Sequence, residues 1–178
     1  MERGLLTKYI ENDVNTISVV KELPRKLYII FCFFTIWSLL FSSFVVYLTK
    51  RGYKLPAFLW RSAFSLTMAC SVSGTFIAYT HTKAFTDKFK VNKFLIYITD
   101  VITHIIPLII ILKLKNWMKL NSLPTTKNTL LKMLSLNGLI GGIYLYLFGT
   151  SLYPVSHKFI LSGIPFPIIL STLYFSRV

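Results

Sequence analysis

The sequence predicts an all-α fold, a polytopic transmembrane helix bundle of about five spans, and three observations carry that prediction. The 178 residues are 54% hydrophobic with a mean hydropathy of +0.61, too apolar for an ordinary soluble domain. The apolar residues gather into runs close to the roughly 20 residues that a helix needs to cross a bilayer. The charged residues, 15% of the chain, cluster in short segments between those runs.

Residues 1–26 form the one extended polar stretch, a basic and partly amphipathic N-terminal segment; residues 27–178 form the transmembrane bundle. Within the first segment Leu5, Leu6, Tyr9, Ile10, Val14 and Ile17 recur at helical spacing, while Glu2, Glu11 and Asp13 fall elsewhere, which predicts an amphipathic helix on the membrane surface. The segment lacks the uninterrupted apolar core of a secretory signal and is too acidic for a transit peptide, so it reads as part of the mature chain.

Five apolar runs follow: Leu27–Leu48, Phe58–Tyr79, Phe94–Leu114, Leu130–Phe148 and Phe159–Phe175, each bounded by Lys, Arg, Pro or Asn. The second is rich in small residues and carries Arg61 near its start. The fifth contains Gly163, Pro165 and Pro167, which predicts a kink or a partly re-entrant course. Small residues at four-residue spacing (Cys70, Gly74 and Ala78; Ser65, Ala69 and Ser73; Gly138 and Gly142) predict close helix–helix contacts. Cys32 and Cys70 both fall in apolar runs and read as small core hydrophobes.

The net charge of +14, from 20 Lys and Arg against 6 Asp and Glu, does not indicate nucleic acid. A nucleic-acid footprint is a basic face on a folded soluble domain, whereas these cations flank membrane spans. The lipid bilayer and its anionic head groups are the expected partners, at about 1 kcal/mol per Lys or Arg near the surface. The loops do not settle orientation: Lys21, Arg25, Lys26, Lys83, Lys88, Lys90 and Lys93 on one side face Lys50, Arg51, Lys54, Lys115, Lys119 and Lys127 on the other. The N-terminus is expected on the cytoplasmic side.

Inside a bilayer the informative residues are the polar ones that hydrocarbon should have excluded, since each is costly unless paired or solvated. In the third run Asp100, Thr103, His104 and Pro107 stand at i, i+3, i+4 and i+7, on one helical face. An Asp one turn from a His can accept the imidazole N–H and fix its tautomer, the relation between base and orienter that nucleophilic catalysis uses. The same pair can equally serve as an interhelical hydrogen bond that holds a bundle together. Pro107 removes a donor to the Thr103 carbonyl and predicts a bend beside His104. In the first run Thr35, Ser38 and Ser42 form a hydroxyl stripe that should face protein. His81 and His157 fall in loops near the interface. Three scattered histidines and few carboxylates supply no closed metal-ligand set, and no cofactor is implied: Walker loop, dinucleotide fingerprint, nucleophile elbow and CxxC are all missing.

In sequence order, Phe34-Thr35-Ile36, then Thr103-His104-Ile105-Ile106-Pro107-Leu108, then Gly142-Ile143-Tyr144-Leu145-Tyr146-Leu147-Phe148-Gly149 and Tyr153-Pro154, the chain resembles the androgen-induced gene and androgen-dependent TFPI-regulating protein family, over residues 28 to 175. The resemblance implies a multi-span membrane threonine hydrolase acting on fatty acid esters of hydroxy fatty acids, or on similar lipid esters. It implies Thr35 as nucleophile and His104 as base, with Asp100 as orienter, and, in a eukaryotic cell, the endoplasmic reticulum or another endomembrane. The chain departs from the animal members, which have six spans and an Asn-His ahead of the catalytic histidine; here no apolar run precedes Leu27, and Asp100-Val101-Ile102-Thr103 precedes His104. Two rivals stand beside the hydrolase: a non-catalytic subunit or scaffold that docks on membrane protein partners through its small-residue faces, and a small carrier, for which five short spans without a repeat leave little room.

Overall fold

The computed structural model describes residues 3–7, 9, 10 and 33–177, the side chain of Ser162 excepted. Between Phe33 and Arg177 the chain forms six helices: α1 Phe34–Lys50, α2 Ala57–Thr80, α3 Thr82–Phe89, α4 Lys93–Leu120, α5 Thr129–Phe148 and α6 His157–Arg177. No strand occurs among the described residues. The architecture is an all-α bundle. Helices α2, α4, α5 and α6 are long and apolar enough to cross a membrane. The described part of α1 is a fifth, shorter apolar helix of 17 residues, about 26 Å long at 1.5 Å per residue.

The five expected runs coincide with α1, α2, α4, α5 and α6 to within a few residues, apart from Leu27–Leu48, whose first residues lie outside the described ones. Most of the N-terminal amphipathic helix, with Cys32, also lies outside them. Local chemistry sets several helix ends. Asn92 caps α4 by accepting the Leu95 N–H at 2.8 Å, and Ser156 caps α6 by accepting the Phe159 N–H at 3.2 Å. Lys90, in the left-handed region at φ 53°, ends α3.

Helix α2 is the axis of the bundle. It packs against α1, α4, α5 and α6, and its buried face is built of Ser62, Ala63, Ser65, Ala69 and Ser71 among larger apolar residues. With no hydrophobic force between helices in lipid, close backbone approach over small side chains is what dispersion can exploit. The bulky end of this core is Trp60, Phe64 and Phe175, whose rings meet edge to face with centroids 5.6 to 6.4 Å apart, beside Met118 and Met133. A second cluster closes the opposite end: Tyr144, Phe148 and Leu152 with Ile10, flanked by Phe34 and Trp37. There the short N-terminal segment caps α5, the Leu5 and Leu6 N–H groups donating to the Tyr146 and Leu147 carbonyls at 2.9 and 2.7 Å. Gly4 permits this approach, because a Cβ would lie 2.4 Å from the Leu147 carbonyl carbon.

Two expectations are refined. The Gly/Pro-rich fifth run is kinked rather than re-entrant: α6 breaks at Ile164, between His157–Gly163 and Pro165–Arg177, and continues to the far end of the bundle, where the Arg61 Nη1 donates to the Ser176 carbonyl at 3.3 Å. The helix–helix contact expected at Gly138 and Gly142 is not made among the described residues. A Cβ at either position meets nothing within 4 Å, since α5 turns that side away from α2.

The ends of the bundle differ in charge. The α1–α2 and α4–α5 loops lie together, the Leu123 N–H donating to the Leu55 carbonyl at 2.9 Å. Around them stand Lys50, Arg51, Lys54, Lys127 and Lys132, with Arg61 in α2, Lys113, Lys115 and Lys119 in the last half of α4, and Arg177 closing α6. Those are ten cations, and no Asp or Glu lies in any of these segments.

Candidate functional site

Three helices meet at the other half of the bundle and bring together side chains far apart in sequence. Thr35 stands in the first turn of α1, where Phe33 is still extended and the Phe34 N–H donates to Tyr153 Oη at 3.0 Å. Negative charge developing on a group here meets the positive end of the helix. Ser38 and Ser42, one and two turns on, are buried against α2. Ser38 Oγ donates to the Thr35 carbonyl at 2.8 Å, and Ser42 Oγ to the Ala63 carbonyl at 3.0 Å while lying 2.7 Å from Thr67 Oγ1. Both are helix-packing hydroxyls. Thr35, the third member of the stripe, turns instead toward α4, with Oγ1 3.1 Å from His104 Nε2.

His104 is held from the other side of its ring. Nδ1 lies 2.8 Å from Asp100 Oδ1, one turn earlier in α4. Asp100 is 2% exposed and accepts the Thr75 hydroxyl of α2, Oγ1 lying 3.1 and 3.3 Å from its two oxygens. A carboxylate so deep in a span is tolerable because donors from two helices face it. With Nδ1–H given to Asp100, the Nε2 lone pair is left to face the Thr35 hydroxyl, so one tautomer satisfies the whole chain of contacts. Thr103 Oγ1 is also 3.3 Å from Nδ1, its own proton given to the Thr99 carbonyl at 2.8 Å.

The backbone is unusual at this point. Residues Val101–Ile105 form a π-helical turn in which the Ile106 N–H donates to the Val101 carbonyl. Pro107, with no N–H, cannot complete the regular bond to Thr103, and the expected bend takes the form of a widened turn carrying His104. Gly74 of α2 makes room for the imidazole: a Cβ there would lie 2.3 Å from His104 Nε2.

Thr35, His104 and Asp100 therefore lie in one hydrogen-bonded chain. Sequence reasoning missed its fourth member, Thr75, and treated Gly74 only as a packing residue. The available signal was a hydroxyl inside the second run, next to a small-residue face. The other two histidines show how little a Thr–His contact means alone. His81 Nδ1 is 2.8 Å from the adjacent Thr80 hydroxyl, and His157 Nδ1 2.6 Å from Thr150 seven residues away. Both contacts are local; His104 bridges a hydroxyl 69 residues away and a buried carboxylate. Among the described residues no three His, Cys, Asp or Glu side chains gather as a metal set.

The chain matches no family model, no curated protein and no solved structure.

Proposed function

We propose that this protein is a membrane-embedded hydrolase of lipid esters, with Thr35 as nucleophile, His104 as general base and Asp100 as orienter. The observation that carries the reading is the continuous chain Thr35–His104–Asp100–Thr75, which has the connectivity of a nucleophile, a base and an orienting acid inside an apolar bundle.

In this reading Thr35 Oγ1 attacks the ester carbonyl carbon as its proton passes to His104 Nε2. The tetrahedral oxyanion collapses, the C–O bond to the alcohol breaks, and the leaving oxygen takes the proton from Nε2. The acyl group is then an ester of Thr35. A water deprotonated by Nε2 attacks it, and the acyl–Oγ1 bond breaks, giving the carboxylic acid and restoring the hydroxyl. Asp100, which accepts the Nδ1–H, stabilises the imidazolium formed in each half. Removal of bulk water from the site strengthens these electrostatic terms.

The substrate class follows from position. The triad is set among the spans, His104 has 14% of its side chain exposed, and Ile102 and Ile106 beside it face outward. A substrate that dissolves in the bilayer can reach it laterally. The resemblance carried by Phe34-Thr35-Ile36 and Thr103-His104-Ile105-Ile106-Pro107 favours fatty acid esters of hydroxy fatty acids, and an endomembrane in a eukaryotic cell. A non-catalytic membrane subunit is the second reading, favoured by the open side of α5 at Gly138 and Gly142.

Labelling of purified, detergent-solubilised protein with an alkyl fluorophosphonate separates the two. The hydrolase reading expects covalent labelling of the wild type that is lost in Thr35→Ala and reduced at least about 100-fold in rate in His104→Ala. Folded wild-type protein that does not label would leave the subunit reading in its place.

A further inference from the structure

The triad uses one half of the bundle. At the opposite end, about 25 Å along α2 from Gly74 and Thr75, an open groove of about 470 Å³ runs between the start of α2 and the first half of α5. Phe58, Leu131, Leu136 and Leu139 form its apolar walls, and Lys132 and Ser135 supply its two polar groups. The ammonium of Lys132 lies 5.7 Å from the centre of the Phe58 ring, so it is held over the mouth of the groove rather than stretched away from it. Its neighbours along α5 order the site by depth: Lys132 is one turn inside Thr129, Ser135 lies next, and Leu136 and Leu139 extend the wall toward the membrane interior.

Such a groove asks for a molecule with an apolar chain and an anionic head. Among the described residues no carboxylate pairs with Lys132, and the segments that carry the ten cations at this end contain no Asp or Glu. That charge matches a leaflet of anionic head groups better than the single carboxylate of a free fatty acid. The groove is open along its side, as suits a lipid entering from the leaflet. We propose that it is a binding site for one anionic glycerophospholipid, its phosphate on Lys132 and Ser135 and an acyl chain along Leu131, Leu136 and Leu139. This site is independent of the triad: it needs neither Thr35 nor His104.

Native mass spectrometry of protein released from micelles with equal amounts of phosphatidylglycerol and phosphatidylcholine tests the assignment. The wild type should retain one phosphatidylglycerol in preference to phosphatidylcholine. Lys132→Gln should lower that retention roughly fivefold, the factor that corresponds to about 1 kcal/mol per lysine at a membrane surface. Lys127→Gln, which removes the same charge from the nearby loop without touching the groove, should leave it unchanged. Leu136→Trp, which fills the groove from its apolar wall, should abolish it, and Lys132→Arg should restore it should Lys132→Gln fold poorly. Equal losses in Lys132→Gln and Lys127→Gln would reduce the effect to diffuse attraction and overturn the site. So would equal retention of phosphatidylcholine, or displacement of the lipid by a stoichiometric amount of oleate, which would make the occupant a neutral lipid or a fatty acid.

Discussion

Gly74 is the residue at which packing and chemistry make opposite demands. In the interior of a helix Ala is favoured over Gly by about 1 kcal/mol, and α2 is the most buried helix of the bundle. Yet the Cβ of an alanine would stand 2.3 to 2.7 Å from three atoms of the His104 ring. The ring is the free end of a side chain and can rotate away, so the clash is relieved at the expense of the 3.1 Å contact with Thr35 rather than of the fold. Gly74→Ala is therefore expected to keep or slightly raise the thermal midpoint while fluorophosphonate labelling falls at least about tenfold, since a displacement near 1 Å can cost about 100-fold. Labelling at the wild-type rate would show that the 3.1 Å contact is not what activates Thr35. Asp100 and His104 were legible in the sequence because their spacing is local and their polarity is out of place in a span. Thr75 was not, because its role depends on which turn of α2 faces which turn of α4, and residue types alone do not give that register.

Pro107 acts through the helix that carries it. A proline within a helix costs about 3 kcal/mol when it breaks a regular bond, and here the loss is taken up by one π-helical turn over Val101–Ile105. An alanine at this position restores an N–H that can reach the Thr103 carbonyl, and with it the regular α-helical register. That change rotates the part of α4 bearing Asp100 and His104 against α1. Pro107→Ala should therefore raise the thermal midpoint in detergent while slowing labelling of Thr35, a separation that a purely structural proline would not produce. An unchanged labelling rate would mean that the widened turn is incidental to the site. The kink of α6 at Ile164 has the same origin, in Gly163, Pro165 and Pro167, but its consequence differs, because that helix presents its later residues, Thr172 and Phe175, to the core.

Across the whole bundle, the number and approximate bounds of the apolar helices could be read, with α4 running on to Leu120 past the expected Leu114, because a bilayer imposes length and apolarity on each helix separately. The arrangement of the helices could not. Gly138 and Gly142 are spaced for close approach, but nothing among the described residues packs on them, because α5 meets α2 and α6 through its other side. What joins the three helices is Asn137, 1% exposed, whose Nδ2 donates to Ser65 Oγ of α2 at 2.8 Å and to Thr172 Oγ1 of α6 at 3.0 Å. An amide in hydrocarbon has few alternatives to its protein partners, yet measured interhelical bonds in membranes average only about 0.6 kcal/mol because the dissociated helices find other acceptors. Ser65 is in addition satisfied by the Ser62 carbonyl, to which its Oγ donates at 2.9 Å, so it is not stranded when the amide goes. Asn137→Ala should thus cost about 1–2 kcal/mol, two such bonds with the small cavity left by the amide. Reversible unfolding in mixed micelles measures it, with labelling of the remaining folded protein unchanged because the triad lies in the other half of the bundle. A loss above about 4 kcal/mol would instead make Asn137 the residue that fixes the packing of α5 and α6 on α2, and labelling would then fall with stability.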